Sequence, residues 1–282
     1  MKTCLVLEGG ALRGLYTAGV LDYLYEKKLD VDCIIGVSAG ALFGVNYFSN
    51  QPGRVLRYNK KFCNDDRYIS LRSLILTGNI VNKNFAYYKV TKKLDPFDEE
   101  EFKKTNKDYY AVCTNLDSGE AEYIKVTEPL KQLECLRASS AMPFVSRLVT
   151  IDNKKYLDGA VADSIPVLKA IEMGYDRVIV VLTQPIEYRK KELSDKELKS
   201  AIKRYKKYPR FVKALFDRHK MYNDTLDKIK ELEKNKEIFV IRPSESVEIN
   251  PLKKTTKDLQ RAYDLGINDA SKMYNRLKKY LN

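Results

Sequence analysis

The feature that most constrains the fold is the pentapeptide Gly36-Val37-Ser38-Ala39-Gly40. It joins an apolar, β-rich run, Val31 to Val37, to a segment of small and apolar residues, Ala39 to Phe48, that is typical of a buried helix. A serine at a sharp strand-to-helix turn has a strained backbone, and glycines two positions to either side let the strand and helix approach closely. The pattern therefore predicts an α/β protein in which Ser38 stands clear of the sheet, at the positive end of a helix dipole.

Strands and helices alternate from the start of the chain. An apolar run, Thr3 to Leu7, predicts a first strand, and Leu15 to Lys28 has the apolar spacing of a helix. Two strands and two helices within about 50 residues favour a parallel sheet with right-handed crossovers. Five later segments also have the composition of strands: Tyr109 to Leu116, Glu122 to Val126, Leu148 to Ile151, Lys155 to Leu157 and Val178 to Leu182.

The loop after the first strand reads Glu8-Gly9-Gly10-Ala11-Leu12-Arg13-Gly14. Consecutive backbone N–H groups before a helix, with few side chains to block them, form a cradle for an anion. One interpretation is an oxyanion hole that faces Ser38 and uses the N–H groups of Gly10 and Ala11. A dinucleotide-binding loop is disfavoured, because its middle glycine would be Ala11 and its acidic residue would stand where the serine turn lies. A plain tight turn is the third interpretation.

A serine nucleophile needs a base, and histidine is the usual one. His219 is the single histidine, and the order Ser38, Asp158, His219 is that of the α/β-hydrolases. However, His219 lies in a densely charged helical segment, so we expect a solvated surface residue on a helix that lines no dry pocket. Asp158 is the other candidate base, since it ends a predicted strand before Gly159, although Asp-Gly is also a common turn.

Four segments, in this order along the chain, resemble the patatin-like phospholipases: residues 8–14, 36–40, 138–144 (Ala-Ser-Ser-Ala-Met-Pro-Phe) and 158–160. The resemblance covers residues 1 to about 185. Members of that family are lipid acyl hydrolases with a Ser-Asp dyad and no catalytic histidine. The resemblance therefore implies that Ser38 is the nucleophile and Asp158 its base. It further implies an oxyanion loop of Gly9, Gly10, Ala11, Arg13 and Gly14, with Gly36, Gly40, Gly159 and Ala160 completing the motifs around the dyad.

The chain departs from the family pattern at two positions of this loop. Glu8 stands where many members have Asp or Gly, and Ala11 replaces the third glycine of G-G-G-x-[KR]-G. Alanine is the mildest such change, but its Cβ restricts φ at a loop position.

The resemblance implies an α/β/α three-layer fold with a mainly parallel central sheet, and a phospholipase A or lysophospholipase-like reaction on a phospholipid or other acyl ester. Ser38 would attack the ester carbonyl while Asp158 accepts its proton, and water would then hydrolyse the acyl-enzyme. An ordinary Asp has a pKa near 3.9, so the site must be desolvated enough to raise the pKa of Asp158. We expect no metal or organic cofactor. Two alternatives stay open: an esterase or thioesterase on soluble acyl esters, and a basic peripheral membrane protein with a relic site.

The net charge of +13 is unevenly distributed. Residues 189–236 carry 17 basic and 8 acidic side chains, whereas residues 1–188 carry 25 and 24. Apolar residues interleaved with Lys and Arg predict amphipathic helices with a basic face, which is either a solvated face or a contact with an anionic membrane surface. Nucleic acid is not expected, since no binding motif accompanies the charge. We predict a catalytic domain over 1–188, and a basic helical region over 189–282 with one strand, Glu237 to Ile241, packed on the same domain or separate from it.

The cysteines and the apolar runs limit the kind of protein further. Five cysteines without a CxxC pair, together with one histidine, argue against a disulfide framework and against a His/Cys zinc site. No run approaches the roughly 18 apolar residues of a membrane span, and the chain starts directly with a strand-like segment. These features predict a cytoplasmic protein.

Overall fold

The computed structural model describes residues 1–282 and contains one eight-stranded sheet with the order β5-β6-β3-β2-β1-β7-β8, in which β4 also pairs with β3. The sheet is mainly parallel, as predicted, because β3, β2, β1, β7 and β8 all run in the same direction. The remaining three strands run antiparallel to their neighbours. The strands are β1 (Thr3–Leu7), β2 (Cys33–Val37), β3 (Asp108–Asn115), β4 (Ala121–Lys125), β5 (Val149–Ile151), β6 (Lys154–Asp158), β7 (Arg177–Val181) and β8 (Ile238–Ile241).

Ten α-helices surround this sheet, with a π-helix at Lys83–Leu94 and two short 3-10 turns at Ala11–Arg13 and Gly159–Val161. The α-helices are α1 (Gly14–Glu26), α2 (Ala39–Phe48), α3 (Arg54–Lys61), α4 (Leu71–Thr77), α5 (Glu99–Lys104), α6 (Leu133–Ser139), α7 (Val167–Glu172), α8 (Asp195–Arg204), α9 (Pro209–Lys234) and α10 (Thr256–Leu281).

Helices cover both faces of the parallel strands, which makes the fold three-layered. In β1, Leu5 and Leu7 pack into a core cluster with residues of α1, α2 and α10, whereas Cys4 and Val6 pack on the opposite face with residues of α7 and α9. Successive side chains of a strand point to opposite faces, so a strand covered on both sides has to be apolar throughout. All five residues of β1 are buried, and this explains why the strand is a continuous apolar run without alternation.

The C-terminal region contributes to the same sheet and to both layers of helices. Its strand β8 pairs with β7, in the register Val178 to Ile238, and its helix α9 packs on the face that Cys4 and Val6 share. Helix α10 begins at a capping box formed by Thr255 and Asp258 and packs along α1.

Candidate active site

Ser38 lies between the last residue of β2 and the first of α2, in a strained backbone conformation with φ 54° and ψ −119°. The glycines of the pentapeptide make this turn possible. A Cβ on Gly36 would lie 2.6 Å from the Cα of Ala41, and a Cβ on Gly40 would lie 2.5 Å from the carbonyl oxygen of Leu7. Any side chain at these two positions would therefore push the strand and the helix apart, so the motif is required by the turn itself.

The strand register explains how Asp158 reaches Ser38 across 120 residues of sequence. Strand β2 pairs with the first part of β3 and ends where Val37 lies opposite Val112. Strand β6 pairs with the last part of β3 in the opposite direction and ends where Asp158 lies opposite Cys113. Two strands that pair with successive parts of β3 and run toward each other must bring their carboxyl ends together.

Ser38 and Asp158 are joined by a buried hydrogen bond. The Oγ of Ser38 donates to Oδ2 of Asp158 at 2.8 Å, while Oδ1 accepts from the backbone N–H of Ala160 at 2.9 Å. Both side chains are buried. Burial raises the pKa of the Asp158 carboxyl, while the positive charge of Arg218 and these hydrogen bonds act in the opposite direction. The carboxyl group is thus desolvated, each of its oxygens is held by a hydrogen bond, and one of them contacts the serine hydroxyl directly.

The glycine-rich loop lies next to this pair, and Gly9, Gly10, Ala11 and Arg13 line the same cleft as Ser38 and Asp158. The backbone N–H groups of Gly9, Gly10 and Ala11 donate to no acceptor within the protein. Ala11 has a left-handed φ of 48°, the conformation for which glycine is best suited, so the alanine at this position carries some backbone strain. Gly14 begins α1 and packs against Ala39 at the start of α2.

Glu8 has a structural role that its sequence context did not reveal. Its buried carboxylate accepts hydrogen bonds from the backbone N–H of Thr183 and from the hydroxyl of Tyr222, each at 2.6 Å. Thr183 in turn donates to the carbonyl oxygen of Gly9 at 3.1 Å. Glu8 therefore ties the glycine-rich loop to the segment after β7 and to α9, and burial raises the pKa of its carboxyl.

His219 does not contact the pair. Its Nδ1 lies 3.0 Å from the carbonyl oxygen of Phe216, and its Nε2 lies 3.3 Å from a carboxylate oxygen of Glu192. The charged helix nevertheless reaches the candidate site, since Arg218 and His219 of α9 both line the polar cleft at Ser38. Sequence periodicity identified an amphipathic helix but could not show which part of the protein its polar face covers.

Two cavities of different character meet at Ser38. One is a polar cleft of about 620 Å³ lined by Arg13, Lys190 and Arg218 among others. The other is a narrow cavity of about 100 Å³ with mostly apolar walls, including Leu42 and Phe43 of α2. The latter two residues also line a further apolar cavity of about 70 Å³, so the apolar space extends inward along α2.

Sequence reasoning missed Ser139, Lys190 and Arg218. Ser139 is fully buried at the end of α6. Its hydroxyl accepts a hydrogen bond from the backbone N–H of Ser38 at 3.0 Å and so stabilises the turn between β2 and α2. Its signal was its place in the segment 138–144, one of the four that carry the family resemblance. Lys190 and Arg218 gave no signal beyond their contribution to the basic segment.

The chain contains no group of three or more His, Cys, Asp and Glu side chains arranged to hold a metal ion, and all five cysteines are buried free thiols. Among its helices, none combines the length and the apolar character that crossing a membrane requires.

A serine at a strained strand-to-helix turn of a parallel sheet, in contact with a buried carboxyl group, is an arrangement found among the serine hydrolases with α/β folds. Comparison with known proteins is more specific. The model of the patatin-like phospholipase family matches residues 5–171, more than half of the chain, and the chain belongs to this family. A second model, a domain of unknown function (DUF6363), matches residues 208–282.

The relatives include one protein without an assigned function and one named as a hydrolase. The uncharacterized protein YjjU of Escherichia coli (strain K12) is 29% identical over 191 residues, which are 65% of this chain and 52% of YjjU. The probable lipid hydrolase 463L of Invertebrate iridescent virus 6 is 26% identical over 182 residues, 60% of this chain and 63% of the viral protein. The chain thus spans about half to two thirds of the length of these relatives. Among solved structures, VipD from Legionella pneumophila matches at 12% identity with a TM-score of 0.46, over 98% of this chain and 67% of that one.

Proposed function

We propose that this protein is a serine-dependent lipid acyl hydrolase of the phospholipase A or lysophospholipase type. The hydrogen bond of 2.8 Å between Ser38 and a buried, desolvated Asp158 is the observation that supports it most directly. Ser38 Oγ attacks the ester carbonyl carbon as its proton passes to Asp158. The developing oxyanion accepts hydrogen bonds from the backbone N–H groups of Gly10 and Ala11, which have no acceptor within the protein. The alcohol leaves with that proton, and a water molecule deprotonated by Asp158 hydrolyses the acyl-enzyme.

The cavities support an amphipathic substrate. Ser38 lies where a polar cleft meets an apolar cavity, so an acyl chain in the apolar cavity would place its ester carbonyl near the hydroxyl and its polar head in the cleft. A pocket for a small soluble ester would not need the apolar extension along α2.

Labelling with a fluorophosphonate probe and hydrolysis of chromogenic esters test this proposal. The wild type should be labelled and Ser38→Ala should not, while Ser200→Ala, a change at an exposed serine on α8, serves as the matched control. Rates should rise with acyl chain length if the apolar cavity holds the chain. An unlabelled wild type would indicate a relic site, and rates that fall with chain length would favour soluble esters.

We further propose that the protein contacts anionic membranes through a surface beside the cleft. Helix α4 exposes three large apolar side chains, Leu71, Ile75 and Leu76, and Ile75 is 82% exposed. The residues that flank this helix, Ile69 and Val81, pair with each other and line the apolar cavity at Ser38. The helix is therefore an apolar tip next to the entrance that an acyl chain would use.

The basic helix α8 lies close to this apolar tip. The segment after α4 is hydrogen-bonded to residues 145–147, since the N–H of Ile80 donates to the carbonyl oxygen of Val145 at 2.8 Å. The guanidinium of Arg204, at the end of α8, donates to the carbonyl oxygen of the next residue, Ser146, at 3.4 Å. Apolar and basic side chains thus flank one short segment, the combination that binds an anionic lipid surface.

A further inference from the structure

Five Lys and Arg side chains line the polar cleft beside Ser38, and three of them are Arg13 of the glycine-rich loop, Lys190 after β7, and Arg218 of α9. None of these three forms a salt bridge, although other basic residues at this end of the molecule do, such as Arg189 with an oxygen of Asp227 at 2.6 Å. The side chains of Arg13 and Lys190 donate no hydrogen bond, and the Nε of Arg13 is buried without a partner. Both side chains line the cleft, and neither is paired with a carboxylate.

The fold holds Lys190 and Arg218 in place. The backbone of Lys190 is clamped by Asn223 of α9, which accepts its N–H at 2.9 Å and donates to its carbonyl oxygen at 3.0 Å. The Nζ of Lys190 lies 5.4 Å from the centre of the Tyr222 ring. Arg218 donates its Nε–H to the carbonyl oxygen of Ala160 at 2.6 Å, which leaves its terminal nitrogens free. This is a built arrangement, in contrast to lysines that extend into solvent.

The positive charge of the three residues is incompletely balanced. Burial and the neighbouring charges of Arg218 and Arg13 lower the pKa of Lys190 to about 8. The carboxylates that act against this effect are Glu8 and Asp158, and both are already occupied by hydrogen bonds from other groups. Glu192 and Glu197 also line the cleft, but Glu192 lies 3.3 Å from His219 and Glu197 accepts the backbone N–H and hydroxyl of Ser194. Arg13, Lys190 and Arg218 thus have no carboxylate of their own, which favours a bound anion.

We propose that Arg13, Lys190 and Arg218 form a phosphate subsite that binds the phosphate group of a glycerophospholipid during hydrolysis. The inference rests on the proposed function and adds the part of the substrate that the cleft recognises. The planar guanidinium groups of Arg13 and Arg218 match the oxygen geometry of a phosphate, and Lys190 adds a compact charge. The subsite lies in the polar cleft, and Ser38 lines both this cleft and the apolar cavity, as an ester flanked by an acyl chain and a phosphate requires.

Lys190 and Arg218 lie outside the part of the chain that the patatin-like family model matches, residues 5–171, and Arg218 lies within the second matched region, residues 208–282. The subsite therefore combines the glycine-rich loop of one region with side chains supplied by the C-terminal part of the chain. Head-group recognition is, in this proposal, one role of the C-terminal region.

Two substrates that differ only in the phosphate test the proposal: a short-chain 1-acylglycerol 3-phosphate and the monoacylglycerol with the same acyl chain, both below their critical micelle concentrations. We expect the wild type to prefer the phosphate ester by at least about tenfold in kcat/KM, the effect of one charge-assisted contact. Lys190→Gln should lower this ratio by about tenfold, and Lys190→Glu should lower it further. Lys199→Gln, an exposed lysine on α8 outside the cleft, should leave the ratio at the wild-type value.

Inorganic phosphate separates a head-group site from a site for a free anion. It should inhibit hydrolysis of the monoacylglycerol competitively in the wild type, with an inhibition constant about tenfold higher in Lys190→Gln. Inhibition by phosphate without any preference for the phosphate ester would overturn the head-group assignment. A ratio that Lys190→Gln and Lys190→Glu leave unchanged would overturn the subsite, whereas failure of the wild type to hydrolyse either ester would instead count against the proposed function.

Discussion

Asp158 and His219 are the two residues that distinguish a dyad from a triad. Asp158 accepts a hydrogen bond from the hydroxyl of Ser38. His219 instead contacts the carbonyl oxygen of Phe216 and the carboxylate of Glu192 on the wall of the same cleft. We predict that Asp158→Asn lowers esterase activity at least about a hundredfold, because the amide keeps the shape but cannot accept a proton. His219→Ala should change the rate little. Steady-state hydrolysis of a short chromogenic ester by both variants measures this.

The opposite pattern would reject the dyad. Loss of activity in His219→Ala together with retention in Asp158→Asn would mean that the histidine moves into the site when substrate binds. Far-UV circular dichroism of both variants should match that of the wild type, so that a folding defect is not mistaken for a chemical one.

Arg218 should influence the pH dependence of catalysis through Asp158. Burial raises the pKa of Asp158, and the charge of Arg218 lowers it. The carboxyl acts as a base only when ionised, so activity is lost as the pH falls through its pKa. Arg218→Gln removes the positive charge and should move the acid limb of the kcat profile to higher pH.

Arg218→Lys is the matched variant for this measurement, since it also loses the guanidinium contact to Ala160 but keeps the charge. Its acid limb should stay nearer to the wild-type position. Equal shifts in the two variants would assign the effect to the lost hydrogen bond instead of the charge.

At the scale of elements, the contact between α1 and α10 depends on two glycines. A Cβ on Gly266 would lie 2.1 Å from the carbonyl oxygen of Tyr16, and one on Gly19 would lie 2.0 Å from that of Tyr263. Both contacts are with backbone, which cannot move aside as a side chain can. We predict that Gly266→Ala lowers the free energy of unfolding by about 3 kcal/mol, although alanine favours the helix by about 1 kcal/mol.

Chemical denaturation measures this change, with Ser271→Ala, an exposed position on the same helix, as the control. The control should be neutral or slightly stabilising, because it changes helix propensity without touching α1. A Gly266→Ala variant as stable as the wild type would show that the two helices can separate without loss.

At the scale of the whole molecule, binding to anionic membranes should depend on both parts of the proposed surface. Replacing Lys203, Arg204, Lys206 and Lys207 with Gln should weaken binding to anionic vesicles, since each basic residue near such a surface contributes about 1 kcal/mol. Replacing Ile75 and Leu76 with Ser should weaken it too, but this loss should not depend on salt. Vesicle sedimentation at several salt concentrations and lipid compositions measures both effects.

Hydrolysis of a short soluble ester serves as the control for both sets of variants, because the surface lies outside the dyad. Equal binding to neutral and anionic vesicles would mean that the basic segment is only a solvated face and does not contact lipid. Binding that neither set of substitutions changes would place membrane contact elsewhere on the molecule.

The sequence determined those parts of the protein whose pattern is local. The predicted strand Thr3 to Leu7 and helix Ala39 to Phe48 match the observed elements, since burial on both faces of the sheet demands unbroken apolar runs. The serine turn was also predictable, because two glycines at fixed spacing are its steric requirement. The mainly parallel sheet and the family followed from these features.

Only the tertiary structure decided what lies around Ser38. Which strand ends meet depends on pairing between distant segments, so the contact of Asp158 with Ser38 came from resemblance to a family and its geometry only from the register on β3. The charge of residues 189–236 likewise could not show that Lys190 and Arg218 enter the cleft while Lys203 stays exposed. A count of charges along a chain does not show where each side chain points. That orientation is fixed only when the helix packs against the rest of the fold.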